Sequence, residues 1–197
     1  MKREDWNRRY AAVDSLWSAK PNRFLVAEVE GLEPGRALDL ACGEGQNAVW
    51  LASLGWDVTA VDYADVAVAK GIERAARAGV AVDFQVGDLL DYVPDARSFD
   101  LVLILYLHIS SDGLRLVLER ATGALAPGGT LVLVGHDLLN LTEGVGGPSD
   151  RDLLFTPDEV VARLPGLEIE RAERLLRDVD GHDRPAIDAL VRARRPT

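Results

Sequence analysis

The sequence has a single cysteine, Cys42, among 197 residues. One cysteine cannot form an internal disulfide, and it excludes a zinc site built from several cysteines. The longest apolar run covers residues 101–107, far short of the ~20 residues that span a bilayer. The first residues lack the apolar stretch of a signal peptide. We therefore expect a cytoplasmic protein with no membrane partner.

Basic residues are scarce as well. The chain has 22 Lys and Arg against 32 Asp and Glu, for a formal net charge of −10. A general nucleic-acid binder needs a basic face, so we expect a small-molecule partner and no nucleic acid. The length and a composition of 48% hydrophobic and 27% charged residues predict one globular domain over residues 1–197. The oligomeric state stays open.

Strand and helix patterns alternate through the middle of the chain. Apolar strand patterns lie at residues 37–41, 57–61, 80–86, 99–106 and 130–134, with helical patterns at 47–54, 63–78 and 114–125. This alternation predicts a parallel sheet covered by helices on both faces. Residues 167–179 and 185–194 flank an Asp-Gly pair, which predicts a closing antiparallel hairpin.

The N-terminal part is predicted to be helical. Trp6, Tyr10 and Trp17 recur at spacings that place them on one face of a helix. Pro21 then interrupts the pattern, and Asn22 is a predicted cap of a second helix.

The sharpest motif follows the first predicted strand, with the sequence DLACGEGQN at residues 39–47. Ligands of open parallel sheets bind beyond the carboxyl ends of the strands, and glycines there let the backbone approach a ligand. Asp62 ends the second strand, where a carboxylate can accept both hydroxyls of a ribose, and Asp88 follows the third. Residues 43–48 also match the short GxGxxA dinucleotide fingerprint. The alternative interpretation is that the glycines form a tight turn without a ligand and that Asp62 and Asp88 cap a helix or loop.

With these motifs the chain resembles the class I S-adenosylmethionine-dependent methyltransferases, and within them the tellurite-resistance and thiopurine-methyltransferase-like small-molecule group. LDLACGEG at residues 38–45 resembles motif I, and APGG at residues 126–129 resembles the turn before the fifth strand. Ala41 departs from the glycine that many members have. The resemblance implies an α/β, three-layer Rossmann-like sandwich. Its sheet would have seven mostly parallel strands and an antiparallel C-terminal hairpin.

The resemblance also implies S-adenosylmethionine as the cofactor. Asp39 and residues 43–45 would meet its methionine end, Asp62 its ribose, and Asp88 its adenine. The full set of cofactor-binding residues that we predict is Asp39, Ala41, Gly43, Gly45, Asn47, Asp62, Tyr63, Asp88, Leu89, Leu105 and Tyr106.

Two segments are predicted to cover the substrate. The family places an N-terminal segment over the active site, so residues 1–30 are a predicted helical lid, with Tyr10 and Trp17 as candidate substrate contacts. The Gly-rich stretch within residues 136–155 is a predicted second lid loop. His108 and His136 follow the fourth and fifth strands and are candidate general bases, or else hydrogen-bonded loop histidines. The histidine spacing does not indicate a metal site.

The predicted function is methyl transfer to a small-molecule oxygen, nitrogen, sulfur or chalcogen oxyanion acceptor. Such a displacement needs no metal and no covalent enzyme intermediate. An NAD-binding oxidoreductase is one alternative. However, no tyrosine has a lysine four residues later, as a short-chain dehydrogenase would require. A cofactor-binding regulator without catalysis is the other alternative.

Overall fold

The computed structural model describes residues 2–197, which contain one seven-stranded sheet of order β3-β2-β1-β4-β5-β7-β6. The strands are β1 (Arg36–Leu40), β2 (Asp57–Asp62), β3 (Asp83–Val86), β4 (Phe99–Leu105), β5 (Leu125–His136), β6 (Glu168–Arg177) and β7 (Ala186–Arg194). The helices are α1 (Arg3–Ala11), α2 (Arg23–Val29), α3 (Gln46–Ser53), α4 (Asp65–Ala78), α5 (Ser111–Ala124) and α6 (Pro157–Val161). None of these helices has the length and apolar character needed to cross a membrane.

The predicted fold class is confirmed by the strand pairing. Strands β1 to β5 are parallel, and β7 runs antiparallel to both β5 and β6. The strand order reverses between β1 and β4, which opens a crevice at the carboxyl ends of these two strands. Because β7 runs the other way, its first residues reach the same edge, where His136 pairs with Asp188.

The sheet separates two apolar cores, and successive residues of β4 alternate between them. Leu101 and Leu103 pack with α2 and α3 on one face. Val102 and Ile104 pack with α5 on the other. Burial of both faces explains why β4 is an almost unbroken apolar run rather than an alternating one.

Two predicted boundaries are wrong. Helix α1 ends at Ala11 instead of continuing to Trp17. Lys70 Nζ donates to the carbonyl oxygens of Tyr10 (2.6 Å) and Asp14 (3.2 Å), which favours a bend over further helical turns. The predicted turn at residues 126–129 lies inside β5, where the register with β4 shifts, rather than before it.

The central strand supplies a stability test. Leu103 is 0% exposed, so Leu103→Ala leaves a cavity, and we expect it to lower the free energy of unfolding by about 3–5 kcal/mol. Urea denaturation followed by circular dichroism measures this loss. Ile72→Ala is the control, because Ile72 is 53% exposed on α4. A loss no larger than that of the control would contradict the assignment of Leu103 to the core.

Candidate active site

A glycine loop, defined here as residues 41–45, joins β1 to α3 at the crevice. Gly43 and Gly45 have φ angles of +55° and +72°. A Cβ on Gly45 would lie 2.6 Å from Phe84 Cζ, so no larger residue fits there without displacing the ring. Ala41 also has a positive φ of 63°, where a Cβ costs about 1–2 kcal/mol. This left-handed conformation is the physical reason that glycine suits the position.

Asp62 fixes the glycine loop in place. Its Oδ2 accepts a hydrogen bond from the amide of Gly43 (2.9 Å), and its Oδ1 accepts one from Ala64 (2.8 Å). Burial raises the pKa of Asp62, although these amide donors oppose the shift. Each carboxylate oxygen has two lone pairs, so the residue keeps acceptor capacity for ligand hydroxyls.

Asp39 has one carboxylate oxygen without a partner in the described part of the chain. Its side chain is fully buried, and its Oδ2 has no hydrogen-bond partner within residues 2–197. Burial, reinforced by the negative charge of Asp62, raises the pKa of Asp39 to about 7. A buried, unsatisfied carboxylate oxygen is costly, and a cationic group would satisfy it. The amino group of S-adenosylmethionine is such a group, so Asp39 fits this cofactor.

Three further predicted cofactor-binding residues lie along the same edge of the sheet, and each already makes a contact within the chain. Asp88 is exposed, and its Oδ1 accepts a hydrogen bond from the amide of Leu90 (2.9 Å), so it caps the turn after β3. The side chain of Leu89 packs in the core between the sheet and α5. Asn47 Oδ1 accepts from the amide of Asn22 (2.8 Å), which ties α3 to the N-terminal segment. Their contacts with the cofactor stay predictions.

A buried glutamate in the middle of the glycine loop was not identified from the sequence. Glu44 is completely buried. Its carboxylate accepts hydrogen bonds from the amides of Leu16 (3.0 Å) and Trp17 (3.2 Å), and it lies 3.4 Å from Lys70 Nζ. A buried charge needs such partners. Its position between two loop glycines was the available signal. Glu44 therefore anchors the chain after α1 directly onto the loop.

Aromatic side chains cover the glycine loop. Trp6 and Tyr10 are buried against α4, and Trp17 Nε1 donates to Tyr10 Oη over 3.1 Å. A Cβ built on Gly43 would lie 3.1 Å from that same hydroxyl. Tyr10 and Trp17 thus lie together over the loop, while the action of residues 1–30 as a lid stays a prediction.

The two candidate bases lie side by side at the ends of β4 and β5. The ring centroids of His108 and His136 are 5.8 Å apart, and those of Tyr106 and His136 are 5.1 Å apart. The ring of Trp6, from the N-terminal segment, is tilted toward that of His108, with centroids 5.9 Å apart. Burial, with smaller contributions from the neighbouring His136 and Arg9, lowers the pKa of His108 to about 4. His108 is therefore neutral at physiological pH.

Asp188 is a second buried acid that sequence reasoning missed. Its Oδ2 accepts hydrogen bonds from Tyr106 Oη (2.8 Å) and Arg177 Nε (2.7 Å), and its Oδ1 lies 3.3 Å from His136 Nδ1. One acid in the otherwise apolar stretch AIDALV of β7 was the available signal. A charged residue within a buried strand needs partners, and here they come from three other strands or strand ends.

The predicted second lid loop is anchored at its base. Asn140 Oδ1 accepts a hydrogen bond from the amide of Ile187 (2.8 Å), and Asn140 Nδ2 donates to the carbonyl of Gly146 (2.8 Å). A Cβ on Gly147 would lie 2.9 Å from the ring of His136. Residues 136–155 thus bring backbone against one candidate base, and their role as a lid stays a prediction.

Residues 37–129 match the family described as "Methyltransferase domain". A ubiquinone biosynthesis O-methyltransferase from Xanthomonas campestris pv. campestris is 31% identical over 169 residues, 79% of this chain and 67% of that protein. The chain belongs to the S-adenosylmethionine-dependent methyltransferases.

A ribosomal RNA small subunit methyltransferase C from Alcanivorax borkumensis is another relative of this methyltransferase, 34% identical over 121 residues, 57% of this chain and 37% of that protein. The chain spans 37–54% of the length of this and two further curated methyltransferases that match it.

Solved structures share the fold of this methyltransferase over almost its whole length. One comes from work on the conversion of a disulfide bond into a thioacetal group during echinomycin biosynthesis. It has a TM-score of 0.78 and 25% identity, and the match covers 98% of this chain and 92% of that one. The N-methyltransferase NodS from Bradyrhizobium japonicum in complex with S-adenosylhomocysteine has a TM-score of 0.73 and 20% identity, covering 99% and 98%.

The anchoring role of Glu44 can be tested directly. Glu44→Gln keeps the shape of the side chain but removes the charge that faces Lys70. We expect the amides of Leu16 and Trp17 to exchange with deuterium about tenfold faster or more, because their shared acceptor is weakened. Hydrogen-exchange mass spectrometry of residues 10–20 measures this. Glu73→Gln is the control, since Glu73 is exposed on α4. Unchanged exchange would contradict the anchor.

Proposed function

We propose that this protein transfers a methyl group from S-adenosylmethionine to a small-molecule acceptor by direct displacement. The observation that carries the proposal is the buried, unpartnered Oδ2 of Asp39 beside the glycine loop, at the point where the strand order reverses. An acid in that place suits the cationic end of an amino-acid ligand. The adjoining Asp62 retains acceptor capacity for ribose hydroxyls.

When bound, S-adenosylmethionine supplies a methyl group on a positively charged sulfur. In our proposal Asp39 and the glycine loop hold its methionine part, Asp62 its ribose, and Tyr63, Asp88 and Leu89 its adenine. The chain then has to exclude water and orient the acceptor, and orientation alone supplies about 7–11 kcal/mol toward such a barrier. Leu105 and Tyr106 lie at the end of β4, between the cofactor and acceptor sides.

Three observations favour a small acceptor. The net charge is −10, which disfavours a polyanion. The N-terminal segment and the loop of residues 136–155 both lie against the crevice. Several curated relatives are named O-methyltransferases of ubiquinone biosynthesis. One relative is named a ribosomal RNA methyltransferase, so RNA is the acceptor to compare with small molecules in the assay. The narrower resemblance to the tellurite-resistance and thiopurine group stays a prediction.

Cofactor binding gives the first test. We expect isothermal titration to detect binding of S-adenosylmethionine and S-adenosylhomocysteine, and Asp62→Ala to weaken both by tenfold or more, because the substitution removes the ribose acceptor and releases the loop amide of Gly43. Asp57→Ala, an exposed acid at the opposite end of β2, is the matched control.

Binding of NAD alone would overturn the proposal and favour the oxidoreductase alternative. Tight binding of the cofactor, with no S-adenosylhomocysteine formed from any acceptor, would favour the regulator. Faster methylation of RNA than of any small molecule would overturn the proposal that the acceptor is a small molecule.

The raised pKa of Asp39 predicts a pH dependence. An ammonium group prefers the ionised carboxylate, so we expect the affinity for S-adenosylhomocysteine to be constant above about pH 7.5. It should weaken below pH 7, approaching about tenfold per pH unit. Without ligand, the same shift makes the free energy of unfolding fall as pH rises from about 4 to about 7, since the folded state then binds more protons.

Titration calorimetry between pH 5 and 8 measures this dependence. Asp39→Asn should bind more weakly at pH 8 and lose most of the pH dependence. Because burial also raises the pKa of Asp62, some dependence remains in that variant. An equal slope in both proteins would contradict the role of Asp39.

A further inference from the structure

The acceptor side of the crevice has a built-in carboxylate–imidazole pair. Asp188 and His136 face each other across the β5–β7 pairing, with Oδ1 3.3 Å from Nδ1. Nδ1 is buried and has no well-directed hydrogen bond within the described chain, so its approach to Asp188 is that of a long, poorly aligned hydrogen bond. Long or misaligned hydrogen bonds of this kind tighten when a reacting complex forms.

The surroundings keep Asp188 ionised. Burial acts against its charge, but the contacts from His136, Arg177 and Tyr106 outweigh burial and hold the pKa of Asp188 below its ordinary value. Burial and the charge of Asp188 raise the pKa of Tyr106, so the tyrosine stays a hydrogen-bond donor to the carboxylate. Asp188 thus remains a fixed negative charge against one nitrogen of His136.

This geometry determines which nitrogen of His136 is available. A carboxylate facing Nδ1 favours the tautomer with its proton on Nδ1, which leaves a free lone pair on Nε2. The ring has little freedom to turn, because Tyr106 packs against its edge and the backbone of Gly147 lies against it. The arrangement is that of an oriented base with a partner that stabilises its protonated form.

His108 lacks these features. Its Nε2 is buried without a partner in the described chain, and its neighbours are Trp6, Arg9 and His136 rather than an acid. A histidine whose pKa is near 4 is a weak base at neutral pH. Asp188 and Tyr106 thus face His136, and Arg9 acts on His108, whereas Arg177 contacts Asp188 and Tyr106.

We propose that the acceptor is a hydroxyl group that is protonated at neutral pH, that His136 removes its proton, and that Asp188 is the positioning residue for His136. The inference rests on the proposed methyl transfer and adds the acceptor class. Aromatic amines, which are neutral at this pH, and thiolates carry a lone pair ready to attack, whereas a neutral hydroxyl is a poor nucleophile until its proton leaves.

The acceptor oxygen forms a bond to the donated methyl carbon while its proton passes to His136 Nε2. The methyl–sulfur bond breaks, and its electron pair stays on sulfur. Asp188 stabilises the resulting imidazolium, which returns its proton to water before the next turnover.

Two phenols of different acidity test the base. Catechol is protonated at neutral pH, whereas 4-nitrocatechol is largely ionised there and needs no base. We expect His136→Gln to lower kcat for catechol by about 10²–10⁴-fold and to affect 4-nitrocatechol far less. His182→Gln is the matched control, since His182 is exposed in the turn before β7. Equal losses for both phenols would overturn the assignment of His136.

The positioning role of Asp188 is tested on the complex with S-adenosylhomocysteine. Asp188→Asn removes the negative charge that faces Nδ1, so His136 should become protonated only at lower pH, which NMR of the imidazole Cε1–H follows. The lower inflection of the kcat/KM profile should move to lower pH with it. Tyr106→Phe removes a donor to Asp188 but leaves its charge, so neither should move to lower pH in that variant. Protonation of His136 over the same pH range in Asp188→Asn and in the unchanged protein would overturn the role of Asp188.

Failure of this inference and failure of the proposed function look different. Absence of any binding of S-adenosylmethionine overturns the proposed function itself. Binding of the cofactor with methylation of thiophenol but of neither phenol overturns only the hydroxyl acceptor. Transfer to none of the three probes by a protein that binds the cofactor overturns the hydroxyl acceptor and also favours the regulator over methyl transfer.

Discussion

The rest of the site depends on the carboxylate of Asp62, which accepts hydrogen bonds from backbone amides of two different segments. Through Gly43 it holds the loop after β1, and through Ala64 it sets the start of α4. These two segments come from neighbouring parallel strands, so a single acid fixes their separation. The backbone amides that remain at the start of α3 are then presented to a ligand in one conformation.

Two further buried acids build the crevice outward from this point, and each recruits a different part of the chain. Glu44 draws the chain after α1 onto the glycine loop by accepting backbone amides and facing Lys70. Asp188 draws together the ends of β4 and β5 with the C-terminal hairpin. In both cases fixed donors of the chain stabilise the charge, which makes these contacts specific as well as costly to break.

The fold could be predicted from the sequence because its signals are local. Apolar strands, glycine turns and an Asp-Gly hairpin each occur within a few residues, and the acids at the strand ends mark the crevice. The acids Glu44 and Asp188 could not be assigned, because their partners are 11 to 82 residues away. A contact that is distant in sequence also explains why α1 was predicted to reach Trp17. The aromatic residues have helical spacing, but Lys70 on α4 donates to the carbonyl oxygens after Tyr10 and so favours a bend.

The antiparallel direction of β7 has a consequence for how such a protein diverges. Because β7 begins at the crevice, Asp188 lies near a turn, and turns tolerate insertion and replacement better than the ends of central strands. The proposed methyl-donor side depends instead on positive φ angles and on glycines packed against Phe84, which few substitutions preserve. Under the proposed assignment, the backbone therefore tolerates a change of acceptor more readily than a change of donor.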